Sequence, residues 1–151
     1  MTSSLEFVID TNIAIKQFID DPLTEKTNQL FTHLDRDPSA RFFVPDLFYI
    51  ECANVLRKYV RANLYPADSV ESDLTDLKAL RLISIPTKAL IVAAAQISAE
   101  YDISAYDASY VALSHQAQVP LLTLDKRLHN SLIGSSFDAQ LFTNFEIPPL
   151  P

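Results

Sequence analysis

Short apolar runs alternate with segments of helical periodicity along almost the whole chain. The runs that predict strands are 5–10, 41–45, 81–86, 119–124 and 139–146. The segments with apolar residues at three- and four-residue spacing, which predict helices, are 11–20, 22–37, 46–64, 66–80, 87–101, 105–117 and 125–132. Strands that alternate with helices favour right-handed crossovers and a mostly parallel sheet. We therefore predict a three-layer α/β fold with about five strands and helices on both faces.

The chain length indicates a single domain. A chain of 151 residues with 48% hydrophobic residues can bury roughly 70% of the surface that its unfolded form exposes. It can therefore form a full core without disulfides. We place this domain at 1–146 and read 147–151, "IPPLP", as a proline-rich tail.

The composition excludes several classes of protein. A single glycine excludes the glycine-rich phosphate loops of P-loop and dinucleotide-binding proteins. A net charge of −7 argues against nucleic-acid binding by general electrostatics, so a polyanionic substrate would need a metal ion or a local basic patch. The lone Cys52 predicts a buried thiol with no disulfide partner. The chain shows no signal peptide and no apolar segment of membrane-spanning length, so we expect a cytoplasmic protein with no membrane partner.

Two aspartates stand where predicted strands end. Asp10 closes the first strand and Asp125 follows the strand at 119–124. In parallel α/β folds, the reactive crevice lies at the carboxyl ends of the strands. Each aspartate also fits a simpler role as a helix cap, and Asp107 fits one in the capping box that begins at Ser104.

Glu51 is harder to explain as a structural residue. On a helix its neighbours at minus four, minus three and plus four are Leu47, Phe48 and Val55, so it projects from the apolar face. An unpaired carboxylate there needs a cation or a wet cleft. Asp107 shares this position beside apolar residues on its own helix.

Four acids that meet in one crevice would repel and raise one another's pKa values. No lysine, arginine or histidine of these segments is placed as a fixed counter-ion to the acids. Oxygen ligands without histidine or cysteine suit Mg²⁺ or Mn²⁺. Carboxylates, a hard cation and water are the components of metal-assisted phosphodiester hydrolysis.

The four segments around these acids resemble the PIN-domain ribonucleases, and the VapC-type toxins of bacterial toxin–antitoxin pairs in particular. The segments are "VIDTNI", "PDLFYIECANVLRK", "ISAYDASYVALS" and "LLTLDKRL". The resemblance covers nearly the whole chain, in order and at the expected spacing. It implies a PIN-like fold and a divalent-metal-dependent endoribonuclease that leaves a 5′-phosphate and a 3′-hydroxyl. It also implies a homodimer and a small cognate antitoxin that blocks the crevice.

The resemblance assigns roles to particular residues. The catalytic, metal-binding acids of the family match Asp10, Glu51, Asp107 and Asp125. The polar neighbours that orient those acids match Thr11, Asn12 and Thr123.

A small basic group accompanies the acids along the chain. Its members are Arg57, Lys58, Arg61, Lys126 and Arg127. Each alone is typical of a solvated helix surface, but together they are our candidates for holding RNA phosphates. The three histidines show no ligand or general-base spacing.

Other functions fit parts of the sequence pattern. A phosphatase with Asp10 as nucleophile would need a second acid two residues on, where Asn12 stands. A phosphoacceptor signalling domain would need an adjacent acidic pair after the first strand and an aspartate that ends a middle strand. The second predicted strand ends in "VPDLF" and the third in "SIPTK", so the acids do not stand at the required positions. A non-catalytic PIN-like scaffold, or a protein that binds or processes RNA, remains the alternative.

Overall fold

A computed structural model describes residues 4–151 and shows a five-stranded sheet in which every pair of neighbouring strands is parallel. The strand order is β3-β2-β1-β4-β5. The strands are β1 (Glu6–Ile9), β2 (Arg41–Pro45), β3 (Ile83–Ile85), β4 (Leu121–Thr123) and β5 (Ala139–Leu141). The predicted α/β fold with a parallel sheet of about five strands is confirmed.

Seven α-helices connect the strands within residues 4–151. They are α1 (Thr11–Ile15), α2 (Thr24–Arg36), α3 (Leu47–Arg61), α4 (Val70–Ala79), α5 (Ile91–Tyr101), α6 (Ala105–Ala117) and α7 (Lys126–Ser131). A 3₁₀ turn precedes α4 at Ala67–Ser69 and another precedes α5 at Thr87–Ala89. Each turn follows a proline, whose fixed φ suits a first helical turn. The predicted helices at 66–80 and 87–101 therefore each begin as a turn.

The connections move in two directions across the sheet. From β1 through β2 to β3 the chain moves towards one edge, and from β3 to β4 it crosses back over β2 and β1. Right-handed crossovers then place α1 to α4 on one face and α5 to α7 on the other. Consistent with this, α5 packs along α6, and α6 lies against β1 and β2. The direction reverses between β1 and β4, which is where α/β folds bind ligands.

The middle of the sheet is buried on both sides. Val8, Ile9, Leu121 and Leu122 are all buried in β1 and β4. Strands covered by helices on both faces have near-continuous apolar sequences, which explains the unbroken "FVI" and "LL" runs. The free Cys52 lies buried on α3, as predicted.

The last predicted strand, 139–146, is wrong over its second half. β5 ends at Leu141, and Phe142–Asn144 form a 3₁₀ turn. Phe142 is fully buried, and the ring of Phe145 stands edge-on to Phe7 with centroids 6.1 Å apart. The apolar spacing of this segment therefore comes from two aromatic anchors in the core and not from a longer strand.

Three residues other than glycine take the left-handed conformation at helix ends. Asp102 and Gln118 cap α5 and α6 with φ values of 53° and 56°, and Asn63 has φ 58° just after α3. Glycine usually occupies such positions because a Cβ is strained there. Asparagine and aspartate tolerate the conformation better than most residues, which helps a chain with one glycine to end its helices.

The proline-rich segment contacts α2. Nε2 of His33 lies 2.8 Å from the carbonyl oxygen of Pro148. The domain boundary at residue 146 stays a prediction. The first three residues of the predicted domain 1–146 lie outside the part of the chain that the structure describes. Within residues 4–151, no helix has the length and apolar character to cross a bilayer.

Candidate active site

Two of the predicted acids lie where the direction of the chain reverses. Asp10 directly follows β1, and Asp125 comes two residues after the end of the neighbouring β4. The backbone N–H of Asp10 donates to the carbonyl oxygen of Leu122 at 3.2 Å, so the ends of the two strands are tied together. Both carboxylates therefore lie at the carboxyl ends of the strands, on the same side of the sheet's middle pair.

Thr123 links these two acids. Thr123 Oγ1 donates to Asp10 Oδ2 at 2.9 Å, and Thr123 Oγ1 also accepts from the backbone N–H of Asp125 at 3.0 Å. Thr123 is fully buried, so the link is held rigidly. Asp10 also accepts from the backbone N–H of Asn12 at 3.4 Å, while Asn12 itself is exposed.

Both aspartates also act as helix caps. Asp10 is the N-cap of α1, and Asp125 is the N-cap of α7, where it accepts from the N–H of Leu128 at 3.0 Å. The capping interpretation and the active-site interpretation thus apply to the same side chains. A cap fixes the position of a carboxylate without consuming all of its acceptor capacity.

The other two acids come from helices on opposite faces of the sheet. Asp107 lies in the first turn of α6, and its N–H donates to Oγ of Ser104 at 3.0 Å. Glu51 lies in the second turn of α3 and is half-buried. Glu51 Oε1 accepts from Tyr110 Oη at 2.7 Å and lies 3.4 Å from Thr11 Oγ1. Two hydroxyl groups thus provide part of the polar environment that a carboxylate on an apolar helix face needs.

The charges of neighbouring carboxylates contribute to the raised pKa values of Asp10, Glu51 and Asp107. Burial, together with smaller contributions from the charges of Asp107 and Glu51, raises the pKa of Asp10 to about 6 against two hydrogen bonds that lower it. Burial and the charge of Asp107 raise the pKa of Glu51. Burial and the charge of Asp125 raise the pKa of Asp107. These mutual effects connect all four acids in one cluster.

No basic side chain neutralises this cluster within residues 4–151. The two ion pairs formed there are Lys16–Asp21 and Arg41–Glu6, and neither involves a cluster acid. The donor set, four carboxylates with no nitrogen or sulfur ligand, fits a hard divalent cation. As the side chains stand, however, no three His, Cys, Asp or Glu residues in the described ranges are arranged to hold a metal ion. A bound cation would have to draw the carboxylates closer together.

Sequence comparison identifies the fold family. The sequence model of the PIN domain matches residues 7–131. The chain belongs to the PIN-domain family. This match begins in β1 and ends with α7, so it includes all four acids. No curated protein sequence is similar enough to this PIN domain to count as a match.

Solved structures with the same fold extend over most of the chain. PAE2754 from Pyrobaculum aerophilum is 19% identical, with a TM-score of 0.61 over 87% of this chain and 82% of its own. A toxin–antitoxin complex from Klebsiella pneumoniae is 18% identical, with a TM-score of 0.58 over 93% and 99%. VapBC2 from Rickettsia felis, bound to a promoter DNA fragment, is 11% identical, with a TM-score of 0.63 over 91% and 98%. At these identities the likeness establishes the fold.

The basic candidates of this PIN domain fall into two places. Lys126 and Arg127 lie in the first turn of α7, immediately after Asp125, and both are exposed. The other three, on α3, are also exposed, but they lie about 9 to 15 Å from Glu51 along the helix axis at 1.5 Å per residue. They are Arg57, Lys58 and Arg61. The structure thus brings the α7 pair to the acids and leaves the α3 group at the far end of its helix.

Tyr110 is the site residue that we did not predict. It is buried on α6, three residues after Asp107, so the two side chains project from neighbouring positions on one face of the helix. That spacing was readable in "YDASY". Its contact with Glu51, 59 positions away in the chain, was not.

Proposed function

We propose that this PIN domain is a divalent-metal-dependent endoribonuclease that uses Mg²⁺ or Mn²⁺. The observation that carries the proposal is the cluster of Asp10, Glu51, Asp107 and Asp125, in which partial burial and the charges of neighbouring carboxylates raise three of the pKa values, those of Asp10, Glu51 and Asp107. No basic residue in the described ranges neutralises the cluster. A protein keeps such repulsion only where something offsets it. A divalent cation, when bound, would supply an activated water and neutralise developing charge on a phosphodiester.

The protein's own residues have distinct tasks in this proposal. Thr123 and the backbone N–H of Asn12 hold the Asp10 carboxylate in place. Asp107 and Asp125 approach from the first turn of α6 and the cap of α7. Lys126 and Arg127 are exposed and directly follow Asp125 in α7, and in this proposal they would bind phosphates on either side of the cut.

We further propose that the protein is the toxin of a toxin–antitoxin pair. Two structures with this fold are described as a toxin–antitoxin complex and as VapBC2 bound to promoter DNA. On this proposal the protein works in the cytoplasm as a homodimer, and a small antitoxin covers the acidic crevice. Co-expression with the short protein encoded next to its gene should abolish toxicity and yield a complex on size-exclusion chromatography. Sedimentation of the free protein should give a dimer mass.

The decisive experiment is cleavage of tRNA and ribosomal RNA by the purified protein, with Mg²⁺, Mn²⁺, Ca²⁺ or EDTA and with mapped ends. We expect internal cuts with 5′-phosphate ends in Mg²⁺ or Mn²⁺, none in EDTA and few in Ca²⁺, which is larger and less exacting in geometry. Asp10→Ala, purified in parallel, controls for contaminating nuclease. Cutting that persists in EDTA would contradict the proposal.

One observation favours the alternative of a non-catalytic scaffold. Asp10 and Asp125 already have a structural role as helix N-caps. In addition, no three acids in the described part of the chain are arranged to hold a metal ion. A folded wild-type protein that cuts no RNA in any of these metals would favour that alternative. Titration calorimetry with Mn²⁺ separates the two further, since a scaffold without a metal site would release no binding heat.

A further inference from the structure

Glu51 and two hydroxyl groups behind it form a triangle of close oxygen–oxygen separations. Tyr110 Oη lies 2.7 Å from Glu51 Oε1 and 2.8 Å from Thr11 Oγ1. The third side of the triangle, from Thr11 Oγ1 to Glu51 Oε1, is 3.4 Å. The three residues come from α6, α3 and α1, so the set joins helices from both faces of the sheet.

Counting protons gives the direction of these bonds. The triangle has three sides, but the two hydroxyl groups supply only two protons, and an ionised carboxylate can only accept. The two short separations are normal for O–H···O bonds, whereas 3.4 Å is longer than such bonds usually are. Thr11 therefore donates to Tyr110, and Tyr110 donates to Glu51. Each bond in such a chain strengthens the next.

The chain of bonds is held rigidly. Tyr110 and Thr11 are each 4% exposed, so neither side chain can change rotamer without disturbing the core around it. Both hydroxyl groups approach the same carboxylate oxygen, Oε1. The other oxygen of Glu51, Oε2, accepts no hydrogen bond from the described residues of the chain. One half of the carboxylate is fixed, and the other is left for a ligand.

We propose that Tyr110 is a positioning residue for metal binding, which fixes Glu51 through Oε1 so that Oε2 faces the cation, and that Thr11 acts through Tyr110. This inference rests on the proposed metal-dependent function. It differs from the role that sequence resemblance gives Thr11, because it places the threonine one step further from the acids. It also gives a function to a hydroxyl group that core packing alone does not require, since phenylalanine would fill the same space.

Tyr110→Phe removes only that hydroxyl, and the chain offers a matched control. Tyr65 lies in the segment between α3 and α4, is 6% exposed, and donates its hydroxyl to the carboxylate of Asp73 in α4. Tyr65→Phe therefore deletes the same kind of bond far from the cluster. The readout is the Mn²⁺ dissociation constant of each variant, measured by titration calorimetry without RNA. Circular dichroism and thermal melting check that each variant is folded.

We expect Tyr110→Phe to weaken Mn²⁺ binding by about 10- to 100-fold, the range usual for residues that orient metal ligands. Tyr65→Phe should bind Mn²⁺ as the wild type does. The cleavage rate of Tyr110→Phe should recover largely at saturating Mn²⁺, because the hydroxyl orients a ligand and does not touch substrate. A folded Tyr110→Phe protein with wild-type affinity, or a Tyr65→Phe protein that is equally weakened, would overturn the inference.

Two variants at Thr11 test the order of the chain independently of Tyr110→Phe. Thr11→Ser keeps the hydroxyl and should bind Mn²⁺ normally. Thr11→Val loses it and should weaken binding by less than Tyr110→Phe does, because Tyr110 still donates to Glu51. A larger loss in Thr11→Val would show that Thr11 donates to Glu51 directly and would overturn the proposed order. Wild-type protein that binds Mn²⁺ but cuts no RNA would refute the ribonuclease and leave this test decisive.

Discussion

Asp10 and Asp46 occupy equivalent places in the fold, but their pKa values shift in opposite directions. Each directly follows one of two neighbouring parallel strands, and each is the N-cap residue of the next helix. The carboxylate of Asp46 accepts from both the N–H and the hydroxyl of Thr87, and these bonds lower its pKa. Burial raises the pKa of Asp10 to about 6, although Thr123 and the N–H of Asn12 also donate to it.

The difference arises from what lies beyond each strand. Asp46 is exposed and turns towards the loop after β3, whose donors satisfy it. Asp10 lies between β1 and β4, where Glu51 and Asp107 bring two more negative charges. An acid at the end of a strand is thus not evidence of a site by itself. Partly buried carboxylates whose charges raise the pKa values of their neighbours are the stronger indication.

The largest effect should separate these two acids in catalysis. We expect Asp10→Ala to lower the single-turnover cleavage rate at least about a thousandfold, which is about 4 kcal/mol of barrier, because an essential anchor of the metal is lost. Asp46→Ala should cleave at the wild-type rate. Equal losses in the two folded variants would mean that the comparison has no functional content.

The response to metal should separate the cluster from Asp46 in thermal stability. Asp107→Asn removes one repelling charge, so its melting temperature in EDTA should equal or exceed that of the wild type, with a smaller upward shift on adding Mn²⁺. Asp46→Asn should melt lower, because it weakens bonds to Thr87, and should keep the full Mn²⁺ shift. About 1 kcal/mol corresponds to about 2–4 °C for a chain of this size, which differential scanning calorimetry resolves. A destabilised Asp107→Asn protein with an undiminished Mn²⁺ shift would show that Asp107 only caps α6.

The pH dependence of stability should have opposite signs for the two acids. The pKa of Asp10 is about 6 in the folded protein against 3.8 ordinarily, so the metal-free folded state binds more protons between these values. Its contribution is complete below pH 3.8 and is lost as pH rises through 6. Lowering the pH from 7.5 to 5 in EDTA should therefore raise the stability of the wild type relative to Asp10→Asn. Urea titrations at each pH measure the difference.

Asp46 provides the contrast in that experiment. Its folded pKa lies below the ordinary 3.8, so its contribution is present above that pH and is lost only as pH falls further. Asp46→Asn should therefore track the wild type between pH 7.5 and 5. A wild type and Asp10→Asn with parallel curves over this window would contradict the raised pKa of Asp10.

The smallest effect concerns two groups of basic residues. One group directly follows Asp125, and the other lies in α3, the helix after Asp46. RNA affinity should depend weakly on salt, with a slope magnitude of about 1 to 3, since each phosphate contact on a single strand adds roughly 0.7. Replacing Lys126 and Arg127 with glutamine should lower this slope more than replacing Arg57 and Arg61, which lie at the far end of the helix after Asp46. Fluorescence anisotropy at several salt concentrations gives both slopes. The reverse order would place the RNA along α3.

The sequence predicted those parts of the fold that depend on local pattern. The strand at 41–45 and the helix at 105–117 have the predicted bounds, the helix because Ser104 caps it and its last turn is followed by Pro120. The segment 139–146 was predicted poorly because two aromatic anchors give the same apolar spacing as a strand. Local periodicity does not distinguish burial in a turn from burial in a sheet.

The site divides in the same way. The acids could be found because each has its own local frame, at a strand end or on an apolar helix face. The bond from Tyr110 to Glu51 could not, because a tyrosine among "SYVAL" has the sequence of an ordinary core residue. Its hydroxyl acquires a role only when two layers of helices meet across the sheet. The metal-binding and RNA-binding roles of the predicted residues stay predictions until the variants are measured.

The triangle of Thr11, Tyr110 and Glu51 has a consequence for when the candidate active site assembles during synthesis. The first and last acids of the cluster are separated by almost the whole PIN domain, and the two hydrogen bonds of the chain that ends at Glu51 join residues 59 and 99 positions apart. Such distant contacts form late, after the cost of closing long loops has been met. A nascent chain that has not yet emerged past Asp125, or a fragment cut before it, lacks the assembled cluster. If the proposed ribonuclease function holds, an incomplete chain therefore cannot cut RNA.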